Sequence, residues 1–188
     1  MIDSLYDQAG GKDIAVLGLY CDFLAQQEQS TTSMLGAILK QLAIRGGIPE
    51  HIRQEFQKAK RVFGGQSLRL PDLVEIMKKA VAELPRAFIC IDGLDESIPK
   101  HRRELLESLR EIIRVSANTR LFLTGRPHVR DEIMKCFGKV IRILVSPTQD
   151  DIRSYLEMRL ESDTDPDVMD DELRADIMRV IPEKVSEM

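Results

Sequence analysis

The chain has 188 residues, 43% hydrophobic and 31% charged, so it can bury a real core and is not disordered by composition. Lys and Arg number 27 against 31 Asp and Glu, a net charge of -4, which argues against a nucleic-acid binder held mainly by electrostatics. No apolar run approaches the ~20 residues that span a bilayer, and the first residues carry no secretory pattern. Cys21, Cys90 and Cys136 are odd in number and never form a C-x-x-C pair. A disulfide framework or structural zinc is therefore not expected, and a reducing cytoplasmic setting is.

In chain order, apolar runs alternate with helical periodicity, the pattern of an α/β domain with a mostly parallel sheet. Strands are expected over Ile14–Cys21, Ala87–Ile91, Leu121–Leu123 and Val140–Val145. The Ser30–Ser33 cluster offers N-caps to a helix carrying Met34, Leu35, Ile38, Leu39 and Leu42. A second helical pattern follows Pro49 with Ile52, Phe56 and Ala59, and a third runs from Pro71 until Pro85 stops it. Leu105, Leu106, Leu109, Ile112 and Ile113 mark the apolar face of a helix starting near Pro99. Thr148 and Asp151 have capping-box spacing ahead of Ile152, Tyr155, Leu156 and Leu160.

From Glu161 through Glu172 there are seven acidic residues and no basic one. Asp163, Asp165 and Asp167 suggest a calcium loop, but Val168 and Arg174 stand where Gly and Glu are needed, so a solvated linker is expected. An amphipathic helix then covers roughly Glu172 to Ile181 and leads to Pro182. The basic residues from Lys100 to Arg130 are interleaved with Glu104, Glu107 and Glu111, which predicts a salt-bridged solvent face. His51, His101 and His128 lack metal-ligand spacing and are expected at the surface.

The chemistry-bearing stretch is Phe88–Glu96: an apolar strand enters Asp92, then Gly93, Leu94, Asp95 and Glu96. Acids at the carboxyl end of a buried parallel strand stand where α/β sheets bind ligands. Such an aspartate can hold Mg²⁺, and a neighbouring acid can orient the attacking water. A plain solvated acidic loop is the competing reading. Leu121–Leu123 similarly runs into Thr124, Gly125 and Arg126. If the two strands are neighbours, Arg126 can read a γ-phosphate, or simply pair with Asp95 or Glu96.

Together these runs resemble the NACHT branch of the STAND NTPases, closest to fungal nephrocystin-like members with ankyrin or other repeats. Ile91–Glu96 is similar to their extended Walker B motif and Leu123–Pro127 to their sensor segment. Tyr20–Phe23 through Met34–Leu42 resembles their second strand and helix, and Gln149–Leu156 the entry to their small helical subdomain. The resemblance implies a three-layer P-loop NTPase-like α/β sheet over residues 1–146 and the start of a helical subdomain over 147–188. It implies Mg²⁺ with ATP or GTP as cofactors, Asp92 as the metal residue, Asp95 and Glu96 as water-positioning acids, and Thr124 and Arg126 as nucleotide contacts. Implied partners are effector and repeat domains of the same polypeptide, with no membrane.

One element departs from that pattern. A P-loop requires G-x-x-x-x-G-K-[ST] between a strand and a helix. Gly11-Lys12 is flanked by Tyr6 and Asp13 in place of Gly and Ser or Thr. Met1–Gln8 resembles the tail of the helix after the P-loop, which implies that the phosphate-binding element and the first strand stand before this chain. The expected activity is then that of an incomplete nucleotide switch, inactive alone, or of a non-catalytic α/β interaction scaffold. Without a central strand the sheet exposes edges and apolar faces. Self-association or marginal stability is the expected outcome; a monomeric sedimentation profile with a cooperative, high-temperature melt would contradict it.

Overall fold

The computed structural model describes residues 14–44, 68–162 and 169–185, with isolated positions 5, 7, 50, 53, 54 and 57. It divides into two units, Met1–Val140 and Ile141–Met188. The helix expected after Pro49, the acidic run 163–168 and the Gly11-Lys12 pair lie outside the described residues.

The first unit is an α/β domain. Its strands are β1 (Ile14–Tyr20), β2 (Arg86–Asp92) and β3 (Thr119–Leu123), all parallel, in the order β1-β2-β3. Ile14 pairs with Arg86 and Tyr20 with Asp92, while Ala87 pairs with Thr119 and Ile91 with Leu123. This register brings the ends of all three strands to one edge, with β2 between its neighbours. Buried on both faces, β2 can be a continuous apolar run, which is how a parallel strand reads in sequence.

Three helices, α1 (Thr31–Ile44), α2 (Leu70–Ala82) and α3 (Pro99–Arg114), pack on one another. Their apolar stripes form one core with Leu17, Leu19, Ala87, Ile89 and Ile91. Leu105, Leu106, Leu109 and Ile112 of α3 are fully buried, each worth about 1.5–3 kcal/mol over exposure. Ser30 caps α1, its Oγ accepting the Ser33 N–H at 3.2 Å. Pro71 and Pro99 sit in first turns, where a missing N–H costs nothing. A short helix, α4 (Arg130–Phe137), packs on α3 and presents Ile133, Cys136 and Phe137 to the core.

On the other face of the sheet Val16 and Cys90 are buried, and Phe88 meets Phe122 with ring centroids 6.0 Å apart. The outer edge of β1 is closed by side chains. Gln41 donates to the Gly18 carbonyl at 2.7 Å and accepts its N–H at 2.9 Å. Gln29 does the same one step on, with the Tyr20 carbonyl and the Asp22 N–H, both at 3.0 Å. Two carboxamides thus stand in for a neighbouring strand.

The second unit contains α5 (Gln149–Glu161) and α6 (Asp171–Val185). The expected capping box is present: Thr148 Oγ1 accepts the Asp151 N–H, and the Asp151 carboxylate accepts the Thr148 N–H. The Thr148 hydroxyl and N–H hold the Asp151 carboxyl below its ordinary pKa of 3.8. Its contribution is therefore present above that pH and lost as pH falls through the depressed value. No described helix is long and apolar enough to cross a membrane.

Three expectations are corrected. Val140–Val145 forms no strand, and Ile141 is 97% exposed. An apolar run becomes a strand only where a neighbour takes its N–H and C=O groups, and none of the three described strands does so. The last helix runs on through Pro182 instead of stopping before it. A proline there gives up its N–H bond and crowds the Met178 carbonyl, and both costs fall near the end of an already formed helix. Finally, the basic stretch is not all solvent face. Arg102 is buried and pairs with Glu132 of α4, and His101 is half-buried against Thr31 and Glu104.

All three thiols are free; Cys21 and Cys90 are buried, Cys136 partly so, and burial raises the pKa of each. Thiol titration without reductant should count three in denaturant. In the native protein Cys136 should react first and Cys21 and Cys90 slowly; a denatured count below three would contradict the free-thiol reading.

Candidate functional site

The sheet's carboxyl edge is built by the loop that leaves β2. Asp92 ends the strand, and Gly93 follows at φ +68°, a left-handed conformation that favours glycine. A Cβ there would also stand 3.2 Å from the Cys21 carbonyl. The chain then makes a single 3₁₀ turn, Leu94–Glu96, with Leu94 wholly buried as its plug. That plug turns Asp95 and Glu96 toward the strand ends while keeping the loop on the core.

The three acids go to three different neighbours. Asp92 Oδ1 accepts a hydrogen bond from the Thr124 hydroxyl. Thr124 also accepts the Gly93 N–H at 3.0 Å through Oγ1, and its backbone continues the β2–β3 ladder to Ile91 and Leu94. Asp95 Oδ1 accepts the Arg126 N–H at 3.1 Å, and its Oδ2 lies 3.4 Å from Arg126 Nε. Glu96 Oε2 accepts the Phe23 N–H at 3.0 Å, in the loop after β1. Gly125 packs closely on Val129, where a Cβ would come within 2.9 Å of the Val129 side chain.

All five expected residues thus gather at one edge: Asp92, Asp95, Glu96, Thr124 and Arg126. Of the two acids offered to Arg126, Asp95 is its partner. The acids do not converge as ligands of a single ion; no group of three or more His, Cys, Asp or Glu does so among the described residues. A Mg²⁺ held there would rest on Asp92. A carboxylate has about four acceptor positions, and the Thr124 hydroxyl takes one, so Asp92 retains capacity for a hydrated cation. Asp92 therefore fits the metal, and Arg126, 78% exposed, fits a phosphate.

Some contributors were not singled out from sequence. Cys21 lies beneath the loop, its backbone N–H bonded to the Asp92 carbonyl at 2.9 Å. Burial pushes its thiol pKa up, and the carboxylates of Glu96, Asp92 and Asp95 push it further, against a contact with Ser97 that lowers it. It stays a neutral packing group. Ser97 closes the loop by donating to the Leu94 carbonyl at 2.7 Å. Arg102 then donates to the Ser97 carbonyl at 3.0 Å and to Glu132 at 2.8 Å, tying the loop to α3 and α4. Only the small residue after Glu96 hinted at this; the i+5 arginine read as surface charge.

Thr124 is the side chain on which this edge depends most, since it serves two partners. Thr124→Val should keep the shape, remove both bonds and lower stability by about 1–3 kcal/mol. Thr124→Ser should recover most of it, as read by urea unfolding; equal stability of wild type and Thr124→Val would contradict the assignment.

Residues 1–126, two thirds of the chain, match the family model described as Nephrocystin 3, N-terminal. The match takes in β1, the acidic loop and β3, and its last residue is Arg126. No curated protein and no solved structure matches the chain significantly. With its strands, its acidic loop and its Thr-Gly-Arg turn inside the matched span, the chain belongs to the Nephrocystin 3 N-terminal family.

Proposed function

We propose that this chain is part of a NACHT-type nucleotide switch, in which ATP or GTP with Mg²⁺ governs the arrangement of effector and repeat domains on the same polypeptide. The observation that carries the reading is the juxtaposition of Asp92 at the end of β2 with Thr124 and Arg126 at the end of adjacent β3. A metal-holding acid and a phosphate-reading arginine are needed on neighbouring strands, and a solvated acidic loop requires neither. The family match supports it, since its span includes both segments.

In this reading Asp92 holds Mg²⁺ through water, and Thr124 fixes the orientation of its carboxylate. Glu96 is the acid for water, once its bond to Phe23 is exchanged. Bound Mg²⁺ supplies charge neutralisation between the acids and a polyphosphate. Phosphate affinity in P-loop proteins rests on loop amides, a lysine and the metal acting together, and the 188 residues contain no P-loop sequence. The site as it stands is the acidic half of a nucleotide site.

Calorimetric titration of the chain with Mg·ATP or Mg·GTP should therefore give a Kd of roughly millimolar or weaker, about −4 kcal/mol at most, with no hydrolysis above background. A micromolar Kd would overturn the incomplete-switch reading. A fusion that places strand, G-x-x-x-x-G-K-[ST] and helix ahead of Met1 separates it from a non-catalytic scaffold. In that fusion binding should appear, Asp92→Ala should weaken its Mg²⁺-dependent part, and Glu96→Gln should slow hydrolysis more than binding. A folded fusion without nucleotide affinity supports the scaffold.

A further inference from the structure

Asp95 and Arg126 are partners of unequal standing. Both carboxylate oxygens of Asp95 face the Arg126 turn, one on its backbone N–H at 3.1 Å and one 3.4 Å from its Nε. The Asp95 side chain is only 9% exposed, whereas that of Arg126 is 78% exposed. The acid is seated under the turn and the guanidinium stands in solvent. With both oxygens on Arg126 and only 9% of the side chain exposed, Asp95 has little access to a water to orient. An arginine whose Nε faces a carboxylate cannot offer that edge of its fork to a phosphate.

Resting on the nucleotide-switch reading, we infer that Asp95 is a positioning residue and not a water-positioning acid. It holds the Arg126 guanidinium in the triphosphate-free protein, and a triphosphate at the sheet edge takes that guanidinium from it. The two contacts divide the work. The backbone bond from Arg126 N–H keeps the turn on the loop, and the side-chain contact is the one exchanged. Arg126, the exposed partner, keeps most of its hydration, so the pair holds it weakly and a polyanion carrying several charges can win the guanidinium. Leaving Asp95 on the backbone N–H keeps the turn in place while Arg126 moves. The presence of triphosphate is thereby converted into the loss of one tie between the β2 and β3 loops.

The test is NMR on the 188-residue chain, with Mg·tripolyphosphate as the phosphate probe and Mg·ATP beside it. Asp95→Asn keeps an oxygen for the Arg126 N–H and removes only the charge. Without ligand, the Arg126 Nε–H should exchange with water about two- to fivefold more slowly in wild type than in Asp95→Asn. The variant should bind Mg·tripolyphosphate about two- to fivefold tighter, and adding Arg126→Gln should abolish the gain. A water-positioning or purely structural acid gives no gain, or a gain from lost repulsion that persists with Arg126→Gln; either result, or equal Nε–H exchange, overturns the inference. A second arm needs no change at the buried carboxylate: in wild type the Asp95 carboxyl ¹³C resonance should move when Mg·tripolyphosphate is added, and in Arg126→Gln it should not. An unmoved wild-type resonance at saturating probe overturns the exchange. If Asp95 slows the Arg126 Nε–H but neither phosphate probe nor Mg·ATP binds any variant, the transfer to triphosphate is overturned, while the switch reading stands or falls separately with the P-loop fusion.

Discussion

The end of β2 constrains everything around it, because three carboxylates emerge there within five residues and each requires a partner. Partly buried acids are costly unless hydrogen-bonded. The chain meets that demand by sending Asp92 to the strand on one side, Glu96 to the loop on the other, and Asp95 to the turn beyond β3. The acids thereby join all three strand ends. Like charges that would spread the edge apart instead staple it, and Leu94 fixes the turn that aims them.

Sheet edges pose the second problem, and the molecule solves it unevenly. Along β1, Gln41 and Gln29 satisfy outward backbone groups with carboxamides, which carry the same donor and acceptor as a peptide. Their spacing follows from α1 packing on β1: a glutamine on the sheet-facing side of a helix can reach a strand edge, and one in the preceding loop can reach the next residue. Such a cap blunts strand addition without a further strand. The Val140–Val145 run has no comparable device, and its large apolar side chains stay exposed.

Periodicity made the framework of the first unit legible. The stripes of α1 and α3 and the apolar run of β2 belong to elements whose type is dictated by what they bury, and the caps at Ser30, Pro71 and Pro99 marked their starts. The same signal failed at Val140–Val145, since an apolar run states a need for a neighbour and cannot say whether one is present. At the site, residue types and strand ends sufficed to gather Asp92, Asp95, Glu96, Thr124 and Arg126. Their pairings were not legible, because the choice of Asp95 over Glu96 for Arg126 depends on the turn set by a left-handed Gly93 and a buried Leu94. Arg102 was misread for a related reason. Lys100 and Arg103 have Glu104 and Glu107 at i+4, but Arg102 has Leu105 and Leu106 at the facing positions, and only tertiary packing supplies Glu132.

The contacts around the loop differ in how readily they can be exchanged, and this sets what the site can do. Arg102 and Glu132 lie largely out of water, at 11% and 25% side-chain exposure, and Arg102 also holds the Ser97 carbonyl. Removing one partner of such a pair costs about 3–5 kcal/mol, comparable to a good part of a domain's stability. The loop is therefore pinned at its Ser97 end. At the acid tips the partners are exposed: Arg126 stands in solvent, and the Phe23 N–H belongs to an exposed loop. Ties of that kind are worth about 1 kcal/mol or less, within reach of a hydrated cation or a polyanion. A loop fixed at its root and exchangeable at its tips can change partners without losing its fold, the property that a ligand-responsive edge requires.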